Sequence, residues 1–303
     1  FGDSSIADSS TASRRGDLEE CVAPGGGHLS SETVPLAHSS VKLSHAALVG
    51  VAAGLLGGLF GVGGGLIIVP GLVGFAHMER RLAHGTSLAA TLPIALASLA
   101  TYLAHGNVDW PVALFLAIGA IVGAIVGTQL LHVIPKNVLV MVFVITVLAT
   151  ATRLLISSDS TGRSELTILS AVLLVLVGFF TGTLAGLLGI GGGVIMVPAM
   201  VVGLGMVPAL AKGTSVAVIV PTSIMGTIRN RKKANADIPV AAVVGGCGAV
   251  TAVVGATISD RMSDQLSNIM FAVLLLFVAI TQLLSLRSKP SDRDAVPVLP
   301  TTD

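Results

Sequence analysis

The amino-acid sequence predicts an all-α, polytopic membrane protein, and three observations support this: its composition, its long apolar segments and an internal repeat. Of its 303 residues, 53% are hydrophobic and only 11% are charged, whereas a soluble domain usually has about a quarter charged residues. So few charges could not cover a surface in water, so the expected solvent is a lipid bilayer. The 36 glycines suit close helix–helix contact in lipid. The net charge of +1 gives no surplus that would favour nucleic acid as a partner.

Ten apolar segments lie between two polar tails. Most have roughly the 20 residues needed to cross about 30 Å of hydrocarbon. The second and seventh are shorter, follow a glycine cluster and contain a proline, so we expect broken or re-entrant helices there. The segments are 44–60, 64–76, 84–104, 110–131, 137–156, 166–188, 192–206, 212–228, 238–258 and 266–286. The predicted organisation is a disordered tail over 1–43, a first transmembrane repeat over 44–158, a second over 166–287 and a loose tail over 288–303.

The two repeats align without a gap when the sequence is shifted by 128 residues. GLLGGLFGVGGGLIIVP (54–70) then lies on GTLAGLLGIGGGVIMVP (182–198), and LAHGTS (82–87) lies on LAKGTS (210–215). If the segments around each glycine cluster return to the side on which they start, each half crosses the membrane an odd number of times. The halves are then inverted, as in many secondary transporters. The positive-inside rule places the run Arg229–Lys233 in the cytoplasm with or without inversion.

A glycine cluster in each half is the predicted binding site. Four glycines in five positions would destabilise a continuous helix, since each costs about 1 kcal/mol there. Unwound backbone at membrane depth occurs only where protein buries it or where it lines a cavity. Its N–H groups and the positive end of the following half-helix favour an anion. Tight packing of two crossing helices is the alternative. The glycines concerned are Gly61, Gly63, Gly64 and Gly65, and Gly189, Gly191, Gly192 and Gly193.

Small polar residues follow each cluster and extend the candidate site. We expect two Thr-Ser pairs to open the next helix of each repeat, where their hydroxyls either cap that helix or bond to an anion. Just before them stand His84 and Lys212. Lys212 either attracts an anion at a mouth or snorkels to the interface, and His84 either titrates or is a plain loop histidine. The pairs are Thr86-Ser87 and Thr214-Ser215.

Prolines and acidic turns complete the predicted features of each repeat. Prolines within apolar segments impose kinks and could act as hinges; they are Pro70, Pro93, Pro198 and Pro221. Asp109 and Asp237 lie in short polar turns with Asn107 and Asn235, where turn and cap roles suffice. The apolar spans contain almost no ionisable groups, which argues against a carboxylate-based cation pump. Neither a cofactor nor a metal is expected, because no Cys, His, Asp and Glu residues have ligand spacing.

The duplicated glycine segments, each followed by Gly-Thr-Ser, resemble the sulfite exporter TauE/SafE family of membrane permeases. The resemblance covers about residues 44–286. It implies an integral, multi-pass plasma-membrane permease whose partners are the lipid bilayer and a small anion, such as sulfite, sulfoacetate or another organic anion. The export direction follows from the family name alone.

The leading functional hypothesis is therefore a transporter of a small oxyanion or sulfonate that works by alternating access around the glycine breaks. A membrane scaffold or accessory subunit is the second hypothesis, although it leaves the duplicated breaks without a purpose. An intramembrane enzyme is the third. It would need a nucleophile and base or metal ligands, and neither His-Glu-x-x-His nor Gly-x-Ser-x-Gly occurs in the sequence.

Overall fold

The computed structural model describes residues 43–130, 141, 144–145, 148, 152, 167–188, 192–232 and 236–287. Within these residues the chain forms nine α-helices and no strand. The predicted fifth segment, 137–156, lies outside the described residues apart from a few isolated helical positions, and so do residues 1–42 and 288–303 of the two tails. The helices are α1 (Leu43–Phe60), α2 (Gly65–Gly74), α3 (Arg80–Ala104), α4 (Trp110–Leu130), α5 (Ile168–Leu188), α6 (Gly193–Leu204), α7 (Pro208–Lys232), α8 (Ile238–Arg261) and α9 (Asp264–Arg287).

The predicted all-α, multi-pass class is confirmed. Five described helices, within α1, α3, α5, α7 and α8, are long and apolar enough to cross a membrane. The helices α2 and α6 have only 10 and 12 residues, which correspond to about 15 and 18 Å. Neither could cross about 30 Å of hydrocarbon by itself.

The short helix α2 runs back along α1. The chain leaves α1 at Phe60 and enters α2 at Gly65. A Cβ placed on Gly64 would lie 2.8 Å from the carbonyl oxygen of Ala53, and one on Gly71 would lie 2.8 Å from Cγ1 of Val49. As residue numbers rise in α2 they fall in the part of α1 that it contacts, so the two helices are antiparallel.

Two rows of glycines, which we call seams, pack the long helices closely against each other. Along α1, glycines at intervals of four residues lie against main-chain carbonyls of α8: Gly50 against Val244, Gly54 against Gly248 and Gly58 against Ala252. The matching seam joins α5 to α4, with Gly178 against Leu116, Gly182 against Ala120 and Gly186 against Ala124. Helices in lipid gain little from the hydrophobic effect, so close backbone packing stabilises their association. Any side chain larger than hydrogen at these glycines would push the helices apart.

The directions of the helices follow from these contacts. In both seams the residue numbers rise together, so α1 is parallel to α8, and α4 is parallel to α5. Between α3 and α7 they change in opposite senses: Gly213 contacts Tyr102, and Gly226 contacts Leu88. Helices α3 and α7 occupy equivalent positions in the two halves of the sequence and run in opposite directions.

Candidate functional site

The two glycine segments meet inside the bundle. A Cβ placed on Gly193, the first residue of α6, would lie 2.8 Å from the carbonyl oxygen of Gly61 and 2.9 Å from Cα of Val62. The main chain at the start of α6 is therefore in direct contact with the main chain of the break between α1 and α2. Gly193 and the whole stretch from Gly61 to Gly65 are buried. Gly189 and Gly191 lie outside the described residues.

Left-handed backbone at these positions explains the choice of glycine. The φ angles are 68° at Gly61, 74° at Gly63, 81° at Gly64 and 70° at Gly192, a region that costs other residues about 1–2 kcal/mol. Gly64 and Gly192 are the N-cap residues of α2 and α6, and neither helix has a side-chain cap. Because the first four N–H groups of a helix have no acceptor within it, the positive ends of both half-helices point into the break.

Two buried hydroxyl groups lie on the helices around this break. A Cβ on Gly63 would lie 3.0 Å from Cγ2 of Thr91 on one side and 3.0 Å from Cγ2 of Ile219 on the other. The hydroxyl oxygens of Thr91 and Ser215 are buried and have no hydrogen-bond partner among the described residues. Ser215 precedes Ile219 by one helical turn and so lies on the same face of α7. The sequence analysis missed Thr91, although it follows Ser87 by one turn of α3 and is therefore a small polar residue on the same face.

Lys212 is buried beside the same break. Only 1% of its side chain is exposed, and Nζ donates hydrogen bonds to Oγ of Ser259 at 2.8 Å and of Ser267 at 2.6 Å. The ammonium lies 5.8 Å from the ring centroid of Phe60, within cation–π range. A Cβ on Gly61 would lie 2.7 Å from Cα of Lys212. The snorkelling interpretation is therefore wrong, because the side chain points into the protein towards α8 and α9.

The threonines of the two Thr-Ser pairs have a role that the sequence did not indicate. Helices α3 and α7 begin six residues before Thr86 and Thr214, so the expectation that these residues open and cap their helices is wrong. Instead, Oγ1 of Thr86 accepts a hydrogen bond from the main-chain N–H of Asp237, and Oγ1 of Thr214 accepts one from that of Asp109, both at 3.0 Å. Each threonine thus links its helix, through a hydrogen bond, to the polar turn of the other half. Ser87, beside Thr86, is fully buried in α3.

The acidic turns cap the next helices, as the sequence analysis suggested. Oδ1 of Asp109 accepts a hydrogen bond from the N–H of Val112 at 3.3 Å, and Oδ1 of Asp237 accepts one from the N–H of Val240 at 3.2 Å. An N-cap of this kind contributes about 1 kcal/mol. Both carboxylates therefore have structural partners at helix ends.

The remaining predicted positions fall as follows. Each of the four prolines lies inside a helix: Pro70 in α2, Pro93 in α3, Pro198 in α6 and Pro221 in α7. His84 lies within α3, so the loop interpretation is wrong for it. Within the described part of the chain, no group of three or more His, Cys, Asp and Glu residues could hold a metal ion.

Comparison with known proteins identifies the family to which this chain is similar. The family model of the sulfite exporter TauE/SafE family matches residues 46–206 and 174–302. The probable membrane transporter protein YunE of Bacillus subtilis (strain 168) is 26% identical over 186 residues, which are 54% of this chain and 68% of the relative. The family is one of membrane transporters and not of enzymes. With matches that extend over most of its length, this integral multi-pass membrane protein belongs to the sulfite exporter TauE/SafE family of transporters.

Proposed function

We propose that this protein is a plasma-membrane permease that exports a small oxyanion, sulfite or an organosulfonate, by alternating access around the duplicated glycine breaks. The contact of Gly193 with Gly61 and Val62 is the observation that carries the proposal. It brings an uncapped helix start from one half against unwound backbone from the other, in the interior of a membrane protein. Backbone of this kind at membrane depth lines a cavity or is enclosed by protein, and a transported ion requires such a place.

The charges around the break suit an anion. Each uncapped helix start carries about half an elementary positive charge. The buried ammonium of Lys212 lies on the next helix beside the break, where the carboxylate of Asp264 interacts with it. The described residues that contact the glycines here contribute hydroxyls and apolar groups, with no carboxylate among them. An ion held by N–H dipoles, hydroxyl groups and one ammonium needs no carboxylate on the protein.

The helix directions support alternating access. Helices α3 and α7 match in sequence position and run antiparallel, which is the relation expected of inverted repeats. In transporters of that kind, the substrate site lies between the repeats near the bilayer midplane, and one repeat rocks against the other. The two glycine breaks fit this position because they lie against each other and against Ile219 in the middle of α7.

Counterflow of radiolabelled sulfite into proteoliposomes that contain the purified full chain tests the proposal, with thiosulfate, sulfoacetate and sulfate as competitors. Saturable uptake driven by internal unlabelled sulfite, and reduced by a competitor, is the expected result. Uptake equal to that of protein-free liposomes, from protein that remains helical by circular dichroism, would exclude sulfite. Repeating the exchange with labelled sulfoacetate then separates the wrong substrate from the wrong function, since a scaffold would exchange neither.

A further inference from the structure

A buried serine lies one helical turn beyond the residue of α7 that contacts both glycine breaks. Ser223 is 1% exposed, and its hydroxyl oxygen has no hydrogen-bond partner among the described residues. It follows Ile219 by four residues, so the two side chains lie on the same face of α7. A Cβ on Gly63 would lie 3.0 Å from Cγ2 of Ile219, and one on Gly193 would lie 3.0 Å from its Cδ1. Ser223 therefore adjoins the site on the face of α7 that the breaks contact.

A hydroxyl inside a helix usually bonds to a carbonyl oxygen of the preceding turn. The neighbouring Thr222 does so, with Oγ1 donating to the carbonyl oxygens of Val218 at 3.1 Å and of Ile219 at 2.9 Å. The carbonyl of Ile219 is also the one that lies four residues before Ser223, so Thr222 uses the acceptor that Ser223 would otherwise have. A buried hydroxyl without a partner costs free energy. We therefore expect Ser223 to bond to a ligand.

A second hydroxyl of this kind lies at the same level on the facing helix. A Cβ on Gly226 of α7 would lie 3.0 Å from Cδ1 of Leu88 in α3. Ser223 precedes Gly226 by three residues, and Thr91 follows Leu88 by three. Because α3 and α7 are antiparallel, Ser223 and Thr91 reach about the same level beside the contact between the two helices. Thr91 is fully buried, its hydroxyl also has no partner in the described part of the chain, and it contacts Gly63 from the other side.

The internal repeat shows that packing does not require a hydroxyl at position 223. The position equivalent to Ser223 in the first half is Ala95, and the one equivalent to Ile219 is Thr91. Ala95 is fully buried in an apolar cluster that includes Ile219. An alanine therefore suffices for packing in the first half, and the serine of the second half adds a hydroxyl group to the same kind of position.

We propose that Ser223 is a further substrate-binding residue, whose hydroxyl donates a hydrogen bond to an oxygen of the transported oxyanion while Thr91 donates one from the facing helix. The inference rests on the proposed anion transport. A hydroxyl group offers one donor, and a bond to a charged acceptor is about twice as strong as one between neutral groups. The two donors come from the two halves of the chain, so they hold the ion between the repeats, where inverted-repeat transporters bind their substrates.

Counterflow kinetics with labelled sulfite, together with thermal unfolding, test the inference. Ser223→Ala is expected to raise KM by about tenfold, because a hydrogen bond to a charged group is lost. Its unfolding temperature should stay at or above that of the wild type, because no protein group loses a partner. Thr222→Val is the matched control. It removes the adjacent hydroxyl of the same helix, which bonds to its own backbone, and its KM should stay within about twofold of the wild-type value.

The outcomes separate this inference from the proposed function. Wild-type protein that exchanges neither sulfite nor sulfoacetate would overturn the proposed function and this inference with it. Normal wild-type counterflow, with equal KM for Ser223→Ala and Thr222→Val, would overturn this inference alone. Failure of Ser223→Ala to fold, or a marked fall in its unfolding temperature, would do the same, because it would show that the hydroxyl has a structural partner.

Binding in detergent gives a second readout that does not depend on flux. Sulfite should raise the unfolding temperature of the wild type and of Thr222→Val, since a ligand that binds the folded state stabilises it. The rise should be smaller for Ser223→Ala at the same sulfite concentration. Equal rises in all three proteins would contradict a bond between Ser223 and the anion.

Discussion

The contact between the two glycine breaks can be tested with a pair of matched substitutions in α6. A Cβ on Gly193 would lie 2.8 Å from the oxygen of Gly61, 2.9 Å from Cα of Val62 and 3.0 Å from Cδ1 of Ile219. A Cβ on Gly203 would meet nothing within 4 Å. Both residues lie in the same helix with negative φ, so Gly→Ala differs between them in the contacts that it creates.

The magnitudes follow from two opposing effects. Replacing glycine by alanine in a helix interior stabilises it by about 1 kcal/mol. Gly193 and Gly203 lie in the first and last turns of α6, so both gain less than this. At Gly193 the new methyl group must also move backbone atoms of the other half, and overpacking of this kind costs about 1–3 kcal/mol. Gly193→Ala should therefore be less stable than Gly203→Ala by about 1–3 kcal/mol, because the helix term cancels in the comparison.

Thermal unfolding in detergent, followed by circular dichroism, measures the stability difference, and anion counterflow measures the functional one. We expect Gly203→Ala to unfold at or above the wild-type temperature with flux retained. Gly193→Ala should unfold at a lower temperature than Gly203→Ala and lose most of its flux. Equal unfolding temperatures and equal flux for the two variants would refute the claim that the breaks are in contact at a working site.

Three further predictions concern the surroundings of the break. Lys212→Met should destabilise the protein by about 1–3 kcal/mol, because the buried hydroxyls of Ser259 and Ser267 lose their hydrogen-bond donor. Anion counterflow by the folded variant should be lost, and unchanged counterflow would contradict a role of Lys212 in binding. Thr214→Val should destabilise the protein by about 1–3 kcal/mol in chemical unfolding, because it removes the acceptor of the buried main-chain N–H of Asp109. Thr86→Val should cost less, because the N–H of Asp237 is only partly buried. An effect below about 0.5 kcal/mol for Thr214→Val would argue against that bond. Gly64→Ala should lower the unfolding temperature more than Gly192→Ala. Both changes force a side chain into left-handed backbone, at a cost of about 1–2 kcal/mol, but only at Gly64 would the new Cβ also lie within 3 Å of a carbonyl oxygen. The reverse order of unfolding temperatures would be inconsistent with this geometry.

Composition and repeat predicted most of the described helices, because each signal is local. Runs of apolar residues mark a helix in lipid whatever its neighbours are. Clusters of glycine mark the point where continuing a helix would cost free energy. The boundaries of α3 and α7 were less predictable. Both helices start earlier than predicted. Helix α3 begins with Arg80 and Arg81, which lie outside the apolar pattern, and α7 begins with Pro208, a residue that is common at the first position of a helix.

The site was harder to predict, because its residues meet through contacts between distant parts of the chain. Nothing near Thr86 in the sequence shows that its hydroxyl binds the backbone of Asp237, which lies in the other half. Lys212 was expected at an interface, since lysine is costly to bury unless it has partners. Its partners Ser259 and Ser267 come from two later helices, and only the packing of those helices reveals them. Thr91 was missed because an isolated threonine in an apolar helix usually bonds to its own backbone.

The central claim is that an anion passes Gly63 between Thr91 of α3 and Ile219 of α7. Accessibility of a cysteine at this place tests it most directly, in a background in which Cys21 and Cys247 are replaced by serine. Thr91→Cys should react with an anionic methanethiosulfonate sulfonate reagent, and sulfoacetate should slow that reaction. Val250→Cys is the control on the outer surface, where 71% of the side chain is exposed, and should not react from within the lipid. A Thr91→Cys protein that transports the anion, yet whose cysteine never reacts or reacts at a rate that sulfoacetate leaves unchanged, would contradict the account.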